Sequence, residues 1–118
     1  MSESIMIVEE YRTYWVNSIG EFHRIGGPAI EHQNGTKMWH QNGKLHRLNG
    51  PAIEYENGSK EWWIKGKRHR VDGPAIEFSD GEMDWFINGI QFYSQEEWFE
   101  ALPKENQIAY LFNMEGSK

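Results

Sequence analysis

The chain has no cysteine among its 118 residues, so disulfides and thiolate metal sites are excluded and the redox compartment does not bear on folding. It also has no apolar run approaching the roughly 18 residues that a membrane span requires. Basic residues are few, with 12 Lys and Arg against 18 Asp and Glu and a formal charge of −6. A sequence-independent nucleic-acid binder needs a basic footprint, so no nucleic-acid partner is expected. The acidic excess reads as a solvated surface. The opening MSESIMIVEE lacks the basic region and long apolar run of a signal peptide, and a cytoplasmic location is expected. No nucleophile–base arrangement is visible. Ser and Thr fall mostly in turns or caps, Glu96-Glu97 reads as helix N-terminal charge, and Gly punctuates turns without forming a phosphate cradle. The expectation is a protein that is not an enzyme and carries no cofactor.

What the chain has is aromatic surface and repetition. It holds six Trp, six Phe and five Tyr, and each buried ring removes about 150–250 Å² from water. His-Arg occurs at His23-Arg24, His46-Arg47 and His69-Arg70. Gly-Pro-Ala-Ile-Glu starts at Gly27, Gly50 and Gly73. Trp39, Trp62 and Trp85 keep the same step, and every interval is 23 residues. A period of this length marks a repeat architecture with atypical terminal units. At this length the chain is one domain: a worn first unit over 1–19, three units over 20–93, and a cap over 94–118.

The units are rich in turn signals. Asn34-Gly35, Asn57-Gly58 and Asp80-Gly81 follow the Ile-Glu segments; Asn42-Gly43, Lys65-Gly66 and Asn88-Gly89 come eight residues later. A third signal, Gly26-Gly27, Asn49-Gly50 and Asp72-Gly73, each before Pro, reads as a turn or a bulged connection. Each unit then holds two or three strands, and the count of two makes His-Arg-x-x-Gly-Pro a kinked link. Read as two-residue hairpin turns, the first two signals set Ile30 opposite Trp39, and Trp39 opposite His46. The apolar face then holds the Ile and Trp rows, with His32, Tyr55 and Phe78. The other face holds Ala29, Ala52, Ala75, the Glu and Arg rows, and Glu54–Glu61–Arg70 side by side. The fold class is mainly β, a single antiparallel meander. Met1 to Ser4 read as loose.

After the repeats the period changes. Ser94-Gln95-Glu96-Glu97 is a capping-box pattern. Trp98, Ala101 and Leu102 share one helix face, Pro103 interrupts, and Ile108, Leu111 and Phe112 repeat the spacing. Two short C-terminal helices are expected to cover the last strand; a helical partner-binding tail is the alternative.

The period and the residues Trp39 to His46 (WHQNGKLH) and Trp62 to His69 (WWIKGKRH) resemble MORN repeats. A MORN unit has His-Gly-x-Gly where this chain has His-Arg-x-x-Gly-Pro-Ala. The chain looks more like the variant His-Arg-x-x-Gly-Pro-Ala repeats of bacteriophage and other viral or bacterial proteins, over roughly residues 11 to 92. The resemblance implies a one-sheet scaffold and a role in scaffolding, partner binding or lipid contact. In the phage case it implies an accessory protein that binds a host factor.

Equivalent His residues in stacked units stand about 10 Å apart, twice the strand spacing. A shared metal needs each nitrogen about 2 Å away, so no metal site is expected and each imidazole is assigned to packing on its Trp and bonding the backbone. Arg24/Glu31, Arg47/Glu54 and Arg70/Glu77 read as an ion-pair ladder. Positions that vary between units are free to carry specificity: His40/Trp63/Phe86, Leu45/Arg68/Gln91 and Met38/Glu61/Asp84. They read as projecting together from the Ala/Glu/Arg face. The expected partner-binding residues are therefore Trp63, Arg68, Glu61, His40, Phe86, Arg47 and Arg70, with a protein as partner. Burial of Trp63 and Phe86 under the C-terminal helices is the competing reading. A nucleotide or small-ligand sponge built on Arg and His, and a structural scaffold component, are the alternatives.

Overall fold

The computed structural model describes residues 3–116. Met1 and Ser2 of the segment expected to be loose, and Ser117 and Lys118 of the cap, lie outside the described residues. The chain is mainly β. A nine-stranded antiparallel sheet takes its strands in chain order: β1 (Ile5–Val8), β2 (Arg12–Val16), β3 (Ile30–His32), β4 (Lys37–Met38), β7 (Ile53–Glu54), β8 (Lys60–Glu61), β11 (Ile76–Glu77), β12 (Met83–Ile87) and β13 (Ile90–Phe92). Two ribbons stand apart from it, β5–β6 (His40–Gln41, Lys44–Leu45) and β9–β10 (Trp63–Ile64, Lys67–Arg68). Helices α1 (Gln95–Ala101) and α2 (Lys104–Gly116) close the chain.

Of the two counts the turn signals allow, two or three, the repeat takes the larger: it contains three extended segments. The middle one bends at its Trp. The Trp39 N–H bonds the Ala52 carbonyl in the main sheet, while its carbonyl accepts from His46 in the ribbon. Trp62 divides its bonds in the same way between Ala75 and His69, and Trp15 between Ala29 and His23. One residue thus passes the strand from one ladder to the other with both backbone groups satisfied. The ribbons are themselves joined, by Gly66 N–H to Leu45 and Arg47 N–H to Trp63.

The two turn signals behave differently. Asn42-Gly43, Lys65-Gly66 and Asn88-Gly89 are two-residue turns with φ positive at both positions, 50° and 81° in the first. Lys65 accepts φ 50° in spite of its side chain. Asn34-Gly35 instead lies in a three-residue loop: Ile30 pairs with Met38, Glu31 with Lys37, and only the glycine has positive φ. This is the turn-plus-bulge alternative that also favours Gly. Each Asx side chain caps its own loop, as Asn57 Oδ1 does by accepting from Ser59 N–H at 2.9 Å.

That single residue of register exchanges the faces. Ile30, Ile53 and Ile76 stand opposite Met38, Glu61 and Asp84, away from the Trp row. The Trp row shares its side with the Ala, Glu and Arg rows. All three Ile and all three Ala are buried; fully burying an Ile is worth about 1.5–3 kcal/mol. Successive units are further joined at their loops. Thr36 Oγ1 accepts from Glu56 N–H at 3.2 Å, and Ser59 Oγ from Ser79 N–H at 2.9 Å.

The cap begins as the capping-box pattern predicts, with Ser94 Oγ accepting from Glu97 N–H at 3.0 Å. Trp98 is fully buried. Its ring lies 4.7 Å from that of Trp85, and its Nε1 donates to the Arg70 carbonyl at 3.0 Å. Leu102, four residues on, is buried as well, whereas Ala101 is exposed. Helix α2 turns Tyr110 onto Trp98 at 5.1 Å and lays Gln107 Nε2 across the carbonyls that end α1.

Candidate partner-binding surface

The seven residues expected to meet a partner divide between two faces of the sheet. Glu61, Trp63 and Arg68 come together with Tyr55 in the middle unit. The Glu61 carboxylate accepts from Tyr55 Oη at 2.6 Å, Trp63 Nε1 at 2.9 Å and Arg68 Nε at 3.2 Å. Arg68 lies over the Trp63 ring at 4.9 Å and over Phe86 at 5.5 Å. Glu61 is only 8% exposed, and a carboxylate so placed needs these donors. The Tyr55 phenol is pushed up to about 12, first by partial burial and then by its bond to Glu61. Only the middle unit carries this set: the first has His32, Met38, His40 and Leu45 at these positions, and the third keeps a carboxylate at Asp84 but has Phe78, Phe86 and Gln91 in place of the three donors.

Phe86 is buried, but in a cluster with Ala75 and Ile76; the helices cover its neighbour Trp85 instead. His40 is buried against Phe22, with ring centroids 5.4 Å apart. Its Nδ1 has no hydrogen-bond partner, and burial lowers its pKa below the usual imidazole value. Glu61, His40 and Phe86 thus sit inside the fold. Trp63 is half-buried, and Arg68 keeps part of its side chain in solvent. The variable positions do project together, but they share the Ile face, because the three-residue loop shifts the register.

Arg47 and Arg70 lie on the opposite face, inside the shared framework. Arg24, Arg47 and Arg70 stack on Trp15, Trp39 and Trp62 at 3.8, 3.9 and 3.7 Å from the ring centroids. Each Nη1 donates to a Pro carbonyl and to the expected Glu: Glu31 at 3.4 Å, Glu54 at 3.0 Å and Glu77 at 2.8 Å. On the far side of each guanidinium is a glycine. A Cβ on Gly27, Gly50 or Gly73 would stand 2.9, 2.9 or 2.8 Å from Arg Cζ. The spacing of Arg-x-x-Gly-Pro-Ala-Ile-Glu is the spacing of this sandwich. The row Glu54–Glu61–Arg70 does not form: Glu61 binds Arg68, and Arg70 binds Glu77 and Asp72.

The guanidinium groups, not the motif imidazoles, take the Trp ring faces, and the motif His residues instead join the units. His23, His46 and His69 each accept through Nδ1, at 2.9 Å, from the N–H of Asn42, Lys65 and Asn88 in the following unit. An accepting Nδ1 is an unprotonated one, and burial lowers the His69 pKa. Among the described residues no three His, Asp or Glu side chains gather as metal ligands would. No described helix is long and apolar enough to cross a membrane.

Exposed apolar side chains gather elsewhere. In α2, Ile108, Leu111 and Phe112 are exposed, with Phe112 at 77%. Their spacing in the sequence marks one helix face, but it gives no sign that Tyr110 and Gln107 dock the helix. On the links, Ile25 and Leu48 are exposed, Leu48 at 81%. Between the second and third links lies a cleft of roughly 620 Å³, lined by Leu48, Asn49, Trp62, His69, Arg70 and Val71 among others. A smaller cleft of roughly 340 Å³, one unit earlier, includes Trp39, His46 and Arg47. No family model matches the chain, nor does any curated protein or any solved structure.

Proposed function

We propose that the chain is a non-enzymatic protein-binding repeat module. In line with the resemblance to phage His-Arg-x-x-Gly-Pro-Ala repeats, it is a phage-encoded accessory protein that works in the host cytoplasm by binding and inhibiting a host or defence protein. The observation that carries this reading is the apolar face of α2. The helix docks through Tyr110 and Gln107 and holds Ile108, Leu111 and Phe112 away from the body. A helix presenting anchors at i, i+3 and i+4 suits an apolar groove on a partner, and contiguous exposed apolar surface marks interaction sites. The framework Arg and His side chains are meanwhile committed to Trp, Gly, Glu and backbone, which favours scaffold over chemistry.

The test is capture from bacterial lysate with the parent chain and with Leu111→Glu/Phe112→Glu. A stoichiometric protein retained by the parent and lost by the variant supports the reading. The clefts beside Trp39 and Trp62 favour a second reading, a small-ligand or nucleotide sponge, because each combines an indole, a guanidinium and an imidazole. An ultraviolet-absorbing small molecule that co-purifies with both proteins supports that one. Ordered oligomers of the isolated chain would point to a structural component.

A further inference from the structure

The chain contains five Asn-Gly pairs, at Asn34, Asn42, Asn49, Asn57 and Asn88. Such a pair loses its amide when the glycine nitrogen attacks the Asn side-chain carbonyl. Ammonia leaves and a cyclic imide forms, which water opens to a carboxylate on the ordinary backbone or on an iso-backbone. The attacking nitrogen must give up its proton, so a glycine N–H held in a hydrogen bond is protected. Four of the five are held. Gly35 donates to His32 at 3.0 Å, Gly43 to Phe22 at 2.9 Å, Gly58 to Tyr55 at 3.0 Å and Gly89 to Arg68 at 2.7 Å. Gly50 donates to nothing among the described residues. Asn49 is exposed in the second link, and its amide makes no hydrogen bond there, whereas Asn34 and Asn57 use theirs to cap their own loops.

The units also show what the product would do. The position after His-Arg-x is Gly26 in the first unit, Asn49 in the second and Asp72 in the third. Asp72 accepts from Arg70 Nε at 2.8 Å, while Arg47 Nε has no acceptor among the described residues. We propose that Asn49 is a site of spontaneous deamidation. The new carboxylate pairs with Arg47 as Asp72 pairs with Arg70. Asn49 borders both link clefts, so the added negative charge changes the electrostatics of both at once and ages the surface on a chemical clock.

The test is a peptide mass map of the full chain held in mildly alkaline buffer, folded and in urea. In the folded chain the Asn49 peptide should gain the amide-to-acid mass about tenfold faster than the other four, whose glycines must first break a hydrogen bond. In urea the five rates should converge. Modification of the folded chain first at another Asn overturns the proposal. So does a folded chain left intact under conditions that modify the urea sample. Asn49→Asp should melt at or above the parent temperature; a lower one overturns the Arg47 pairing.

Discussion

At the scale of single residues, the motif is explained by a guanidinium held between two surfaces. Arg70 has the Trp62 ring on one side and the Gly73 backbone on the other. Gly73→Ala places a Cβ 2.8 Å from Arg70 Cζ, and overpacking of this kind costs about 1–3 kcal/mol. The melting temperature should fall by several degrees. In Arg70→Met the obstacle is gone, so adding Gly73→Ala to it should cost less than in the parent. A strictly additive pair in a double-mutant cycle would contradict the sandwich. Two of the histidines, one of them a motif His, have a pH signature. Burial lowers the pKa of His69 and His40 in the folded state, so the folded chain prefers them neutral. Their contribution is fully present above the unfolded value of about 6.5 and is lost as pH falls through the lowered folded values. Thermal melts taken downward from neutral pH should show stability declining in this window, and His69→Gln should flatten part of the decline. An unchanged profile would show that burial does not hold His69 below its ordinary value.

At the scale of the element, each unit is one hairpin in the main sheet and one in the ribbon layer, with Trp at the corner. Much of this was legible in the sequence. The pairing of Trp39 with His46 follows from Asn42-Gly43, because positive φ at both residues favours that dipeptide. The pairing of Ile30 with Met38 did not, because Asn-Gly also suits the three-residue loop that Asn34-Gly35 adopts. Nothing local separates the two, and the one-residue difference moves the Ile row to the other face. The buried cluster was hidden for the same reason. Glu61 and Arg68 were visible as residues that differ between units, but not as partners. Trp63→Ser removes a donor from the Glu61 carboxylate and the ring under Arg68. It should cost roughly 2–4 kcal/mol, as large truncations and broken buried polar networks do. An unchanged melting temperature would return Trp63 to the free surface. In the cap, Trp98 takes the place over Trp85 that Arg holds over the earlier Trp residues. Trp98→Ala should cost about 3–5 kcal/mol and expose the end of the stack, read as concentration-dependent association on sizing.

At the scale of the whole molecule, three kinds of bond between neighbouring units recur from one pair to the next: His Nδ1 to a turn N–H, hydroxyl to a loop N–H, and Trp N–H to Ala carbonyl. Stability in such a stack is a sum of unit and interface terms. The units should therefore be interchangeable, and removing one should leave the rest intact. The direct measurement is a cooperative thermal melt, with a circular dichroism spectrum, of a chain lacking residues 47–69, in which Arg70 follows His46. Arg70 would then face Trp39, and His46 would accept from Asn88. A shorter β protein that melts cooperatively at a lower temperature is the predicted result. A chain that is unfolded, or that loses its structure without a transition, would contradict the account.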